Sequence, residues 1–185
     1  MGDTVIESYV ANFYCSKDLD IEDFLKRKAI LFEKLGKSRT FLVVDEDFDI
    51  IGYFSLALSI LDIPQILSNR KRKDMDGLSA KRKGELVEKI PSILIGQLAK
   101  NDLYIGKFSG NGLLEICLSK ILEGQKILGG RIIMVECKKR PELINFYEHA
   151  DFTLTTKDFD KEDLILLYHN HFLEGLKQHK HFYQI

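Results

Sequence analysis

Ile93-Leu94-Ile95-Gly96-Gln97-Leu98-Ala99 is an apolar run broken by one glycine, and Lys107-Phe108-Ser109-Gly110-Asn111-Gly112-Leu113-Leu114 follows it after a short gap. The first stretch reads as a buried strand, because its apolar content is nearly continuous. The second reads as a glycine loop leading into a helix over 113–122, with Leu113, Leu114, Cys117, Leu118 and Ile121 on the inner face. This order of parts can build a cradle for an anion. Glycines let the backbone approach a ligand closely. The N–H groups of a helix start have no intrahelical acceptor, and the positive end of the helix dipole lies behind them. A diphosphate fits such a place, so Gly110, Asn111, Gly112 and Leu113 are expected to supply backbone donors. The Gly-x-Gly spacing alone is a weak signal, since many such turns bind nothing.

Outward from this centre the chain reads as alternating helices and strands. Asp20 to Leu35 has Ile21, Phe24, Leu25, Ala29 and Phe32 on one helical face, with Asp20 as the expected cap and Gly36 as the expected stop. Thr40–Val44 and Ile50–Leu58 read as a hairpin joined at Asp45-Glu46-Asp47. Arg131–Glu136 and Leu164–Tyr168 read as further strands, and Pro141 sits well as the first residue of a short helix ending near Ala150. Ser68 to Gly84 breaks the pattern. It is rich in lysine and arginine, and is expected to be an exposed basic excursion, partly helical near its end. The residues from His169 onward read as a tail. No repeat or linker divides the chain, so one domain over 1–185 is expected, an α/β fold with mixed strand directions.

Composition narrows the class. The 185 residues are 45% hydrophobic and 30% charged, with a formal net charge of -1. These are globular values, and the balance gives no whole-chain argument for nucleic acid or membrane binding. Met1-Gly2-Asp3-Thr4 lacks the basic-then-apolar pattern of a secretory signal, and no apolar stretch approaches a membrane span. Cys15, Cys117 and Cys137 are odd in number and irregular in spacing. This points to reduced thiols in a cytoplasmic protein, and to neither a disulfide frame nor a zinc site. His169 with His171, and His179 with His181, have His-x-His spacing but no carboxylate or cysteine cluster beside them, so they read as surface residues and no metal is expected.

A second segment, Phe146-Tyr147-Glu148-His149-Ala150-Asp151-Phe152, gives the glycine turn its meaning. Together the two resemble the coenzyme-A loop and catalytic helix of the GNAT superfamily of N-acetyltransferases. The resemblance sharpens to the acetyltransferase toxins that occur beside ribbon-helix-helix antitoxins. It rests on Phe13-Tyr14-Cys15, Ser38-Arg39-Thr40-Phe41, Gly52-Tyr53-Phe54-Ser55-Leu56, the strand Ile90 to Ala99, and Phe146 to Phe152, in that order along the chain. It implies a GNAT fold, a mixed and mostly antiparallel sheet flanked by helices. It also implies transfer of an acetyl group from acetyl-CoA to a primary amine, with aminoacyl-tRNA as the first choice of acceptor. A polyamine or a protein amine is the alternative, and a non-catalytic acyl-CoA-binding regulatory domain is the reading from another class. The implied partners are tRNA, a ribbon-helix-helix antitoxin and a second copy of the chain.

Three departures from the superfamily pattern stand out. Lys107 occupies the first loop position, where glutamine or arginine is usual. Asp151 replaces the glycine after the catalytic helix, and aspartate tolerates a left-handed turn better than most residues. The basic excursion is long for the branch.

The resemblance assigns roles residue by residue. Tyr147 is the expected general acid, placed to protonate the leaving thiolate. Leu98 and Ala99 should lie beside the pantetheine arm, with a backbone N–H there polarising the thioester carbonyl. Lys107, Phe108, Ser109, Gly110, Asn111, Gly112 and Leu113 form the expected cofactor segment. Arg70, Lys71, Arg72 and Lys73 would hold tRNA phosphates if tRNA is the acceptor, although such a run is usually a solvated face. Glu136 could accept a proton from the amine through water, or be a solvated strand end. Cys137 could in principle be a nucleophile, but reads as a buried, incidental thiol.

Overall fold

The computed structural model describes residues 3–63, 67–155 and 164–169. The expected tail histidines His171, His179 and His181 lie outside the described residues. The elements, in chain order, are α1 (Asp3–Val10), α2 (Leu19–Asp23), a π-helical turn (Phe24–Lys28), α3 (Ala29–Lys34), β1 (Arg39–Val44), β2 (Ile50–Asp62) and α4 (Asn69–Asp76). They continue with β3 (Lys81–Arg82), β4 (Glu85–Leu86), β5 (Lys89–Lys100), a 3₁₀ turn (Asp102–Tyr104) and α5 (Gly110–Leu128). β6 (Ile132–Lys138), α6 (Pro141–Glu148), β7 (Thr153–Leu154) and β8 (Leu164–His169) complete the series. A six-stranded sheet has the order β1-β2-β5-β6-β8-β7, and β3 with β4 forms a separate hairpin. The β1–β2, β6–β8 and β7–β8 pairs are antiparallel.

Contacts gather the chain into two compact units. The first comprises Met1–Ala57 with Ile95–Gly124, the second Leu58–Leu94 with Gln125–Ile185. In the first unit, Phe13, Phe24, Leu25, Ala29, Tyr53 and Ala99 share one buried cluster. The π turn has a sequence cause. Phe24 and Ala29 both belong to the core, yet five residues overshoot one face of an α-helix, and the wider turn absorbs the extra residue. Ala29 N–H accordingly donates to the Phe24 carbonyl. Asp18, not the expected Asp20, caps the helix: it is extended at φ -153° and accepts from Asp20 N–H. At the other end Gly36 adopts φ +66°. Gly36 N–H donates to Glu33 O and Lys37 N–H to Phe32 O, the paired bonds of a left-handed helix stop.

In the second unit, Leu61, Met75, Val87, Ile90, Ile132 and Met134 are buried together. The basic excursion is corrected here in two respects. Its helix, α4, lies at its start and not near its end, capped by the Ser68 hydroxyl, which accepts from Lys71 N–H. Its inner face is buried: Arg72, Met75 and Asp76 are each at most 9% exposed. Arg72 donates from Nη1 to the Val87 carbonyl at 2.6 Å and from Nε to the Leu67 carbonyl at 3.2 Å. Asp76 pairs with Arg82 of the β3–β4 hairpin.

Arg72 is therefore a structural cation in the core of this unit. Arg72→Met should strip two carbonyls of their donors, at about 1–3 kcal/mol for each acceptor left unpaired. At about 2–4 °C per kcal/mol for a chain of this size, a fall in Tm of about 4–24 °C is expected. A thermal melt indistinguishable from the wild type would show that water replaces the guanidinium at no cost.

Candidate active site

The cofactor segment belongs to the first unit. β5 ends at Lys100, and Asn101 turns the chain. Its buried side chain accepts from Tyr14 N–H and Leu103 N–H, each at 3.2 Å, and donates to Asn12 O at 3.2 Å and Ile50 O at 2.8 Å. The next residue, Asp102, accepts from both the backbone N–H and the hydroxyl of Ser16 at 2.6 Å. These bonds fasten the strand end to the N-terminal segment and to the start of β2.

Gly52 brings the helix close. A Cβ there would meet the Ala99 carbonyl oxygen at 3.2 Å and the Leu113 methyls at 3.3 Å. Only a bare backbone at this position of β2 lets the end of β5 and the first turn of α5 approach so nearly.

The helix begins earlier than the sequence pattern suggested, at Gly110 and not at Leu113. The glycines expected in a loop are its first turn. Ser109 is the cap: its hydroxyl accepts from Gly112 N–H at 2.9 Å, and its carbonyl accepts from Leu113 N–H at 3.2 Å. Of the four expected donors, Gly112 and Leu113 thus have partners within the protein. By position the N–H groups of Gly110 and Asn111 point beyond the helix, where an anion would accept from them.

Gly112 is tightly enclosed. A Cβ would stand 3.1 Å from the Phe108 ring and 3.2 Å from the Ser109 hydroxyl. Lys107 is exposed, with its ammonium over the Tyr104 ring at 5.2 Å. Ala99 and Leu113 are buried, and Leu98 is half-buried.

Tyr147 belongs to the second unit, in the last turn of α6, whose first residue is Pro141 as expected. It is 5% exposed. Its ring makes edge contacts with Phe146 at 5.0 Å and Phe152 at 5.4 Å. The turn that follows survives the loss of its glycine. Asp151 adopts φ +63°, and Phe152 N–H folds back onto the Tyr147 carbonyl at 3.0 Å.

His169 is corrected from a surface residue to a buried one. It pairs with Ile133 in the β6–β8 ladder, and its ring lies 5.3 Å from Phe152. Glu136 is the exposed residue in a run of buried ones on β6. Cys137 is buried, and burial pushes its thiol up to about 11, so it stays protonated near neutral pH and is a poor nucleophile. Burial pushes Cys117 up to about 12. No group of three or more metal-ligating side chains occurs among the described residues.

Arg70, Lys71 and Lys73 are exposed on α4, whereas Arg72 is not available to a phosphate. The first unit also holds an open apolar cleft of about 970 Å³, lined by residues such as Ile6, Leu25, Ala29, Leu42 and Phe48. It shares no residue with the cofactor segment. Sequence reading missed Lys100 and Asn101. The only signal for Asn101 was its place between a strand and a turn, where asparagine often caps.

Residues 48–81 match the family model described as PQ loop repeat. That stretch covers less than half of the chain, and its described part contains the whole of β2 and α4. No described helix is long and apolar enough to cross a membrane.

Over 148 residues the chain is 26% identical to the tRNA-acetylating toxin of Mycobacterium tuberculosis (strain ATCC 25618 / H37Rv), covering 78% of this chain and 79% of that protein. The structure of AtaT complexed with acetyl-methionyl-tRNAfMet is similar at a TM-score of 0.70 and 17% identity, over 91% of each chain. A tyrosine-to-phenylalanine mutant of the AtaT toxin, bound to the C-terminus of the antitoxin AtaR and to acetyl-CoA, is similar at a TM-score of 0.64 and 16% identity. It covers 91% of this chain and 89% of that one. At these identities the structural likeness is one of fold, and the acetyltransferase fold implied by the sequence is the fold found.

Proposed function

We propose that this chain is an acetyl-CoA-dependent N-acetyltransferase whose acceptor is the amino group of aminoacyl-tRNA. The observation that carries the reading is the 26% identity over 148 residues to a tRNA-acetylating toxin. The start of α5 supports it, because two first-turn donors there have no acceptor within the helix by position. The residues suit a coenzyme-A diphosphate: bare glycine backbone, a helix dipole and the exposed cation of Lys107.

Bound acetyl-CoA supplies an acetyl group activated as a thioester. Gly110 and Asn111 hold the diphosphate through their N–H groups. A backbone N–H near Leu98 polarises the acetyl carbonyl, and Ala99 flanks the pantetheine arm. The uncharged acceptor amine attacks directly, so no protein nucleophile is required, in keeping with the protonated Cys137 thiol. Tyr147 gives its phenolic proton to the departing sulfur, and the proton shed by the acylated amine passes through solvent and restores the phenol. Arg70, Lys71 and Lys73 contribute phosphate contacts to the acceptor, and in this reading Arg72 supports them from the core. The partners are an antitoxin of ribbon-helix-helix type and a second copy of the chain, and the place of action is the cytoplasm.

The test is a cell-free translation reaction supplied with acetyl-CoA. The wild type should arrest synthesis and leave acetylated aminoacyl-tRNA, while Tyr147→Phe should not. Unimpaired translation together with ready acetylation of a polyamine would move the acceptor to a small amine.

A further inference from the structure

Lys100 is the last residue of β5, one position beyond Ala99, and it is half-buried. Its ammonium donates to the Phe108 carbonyl oxygen at 2.9 Å. Phe108 immediately precedes Ser109, whose hydroxyl and carbonyl organise the first turn of α5. One side chain therefore joins the strand end beside the expected thioester position to the turn that carries the diphosphate donors. The Phe108 ring is also confined, since it would crowd any Cβ at Gly112. Lys107 differs: its ammonium is exposed and lies 5.2 Å from the centre of the Tyr104 ring.

We propose that Lys100 is a positioning residue for the diphosphate of the acyl-coenzyme A, an inference that rests on the cofactor reading above. The Phe108 carbonyl shares its peptide plane with the Ser109 N–H, immediately ahead of the two planes that carry the Gly110 and Asn111 N–H groups. Leu113 N–H holds the Ser109 carbonyl from inside the helix, and Lys100 holds the Phe108 carbonyl ahead of it, so the chain enters the turn in one direction. An ammonium bond to that carbonyl fixes its direction more strongly than a neutral donor would. It also puts a positive charge on the inner side of the turn, where a bound anion benefits from it. Lys100 touches neither the cofactor nor the reacting atoms in this account. It acts through the backbone it holds.

The experiment compares two thioesters, acetyl-CoA and S-acetylpantetheine, which lacks every phosphate. Lys100→Met should lower kcat/KM for acetyl-CoA by about 10-fold, mainly through KM, the scale of one charge-assisted hydrogen bond. It should leave kcat/KM for S-acetylpantetheine unchanged, and Lys100→Arg should restore most of the loss. Equal losses with both thioesters, or no loss with either, would overturn the proposal. A merely structural lysine gives the first of those results. Failure of the cofactor reading looks different: coenzyme A would then not raise the melting temperature of the wild-type protein at all.

Discussion

Tyr147→Phe should lower the turnover of acetyl-CoA by about 10²-fold while leaving the affinity for coenzyme A unchanged. That ratio corresponds to about 2.7 kcal/mol of lost transition-state stabilisation. The substitution removes one oxygen from a ring that is 5% exposed. The edge contacts with Phe146 and Phe152 belong to the ring and not to the hydroxyl, so they persist. Losing a buried hydroxyl costs about 1 kcal/mol of stability, a shift of a few degrees in Tm. The expected signature is therefore a large fall in kcat beside a small change in melting temperature. The measurements are thiol release under saturating acceptor, and calorimetric titration with coenzyme A. A Phe variant with full turnover would hand the proton transfer to solvent or to another side chain. A variant that loses cofactor affinity in proportion would make Tyr147 a packing residue.

Much of this architecture can be read from local pattern, because local physics decides it. Gly36 was expected to stop a helix, and it does so in the left-handed conformation that glycine adopts without penalty. Pro141 begins α6 because its missing N–H costs nothing at a first helical position. Asp151 stands where the superfamily pattern has glycine, and its φ of +63° keeps the turn after Tyr147.

Other features escaped for identifiable reasons. The π turn at Phe24–Lys28 was hidden because the apolar positions were read on a single helical period. The charges between Arg70 and Lys73 suggested an exposed segment. Yet Arg72, Met75 and Asp76 stand at the three- and four-residue spacing of one helix face, and that face is buried. His169 was assigned to a tail, although it continues the β8 ladder opposite Ile133. The partners of Lys100 and Asn101 lay beyond sequence reasoning. Asn101 bonds to Asn12 and Ile50, 89 and 51 residues away, and no local pattern encodes such partners.

The second large effect concerns Gly112. Gly112→Glu should abolish measurable binding of acetyl-CoA while leaving the fold intact. Two causes act together. The new Cβ would stand 3.1 Å from the Phe108 ring and 3.2 Å from the Ser109 hydroxyl, so the turn must shift by a few tenths of an ångström. The new carboxylate would then lie at the helix start, beside the place proposed for the diphosphate. Two like charges about 5 Å apart repel by about 3 kcal/mol at a surface-like dielectric of about 20, a loss of more than 100-fold per unit charge. Stability should behave in the opposite way. Gly112 is the third residue after the Ser109 cap, and a glutamate there favours the helix dipole and can complete a capping box. The variant should therefore melt within a few degrees of the wild type, yet gain no thermal stability from acetyl-CoA. Gly112→Ala separates the two causes, because it adds the Cβ without the charge; its affinity should fall by about 10-fold or less. If acetyl-CoA still stabilises Gly112→Glu against heat, the diphosphate binds elsewhere, and the assignment of the Lys107–Leu113 segment fails with it.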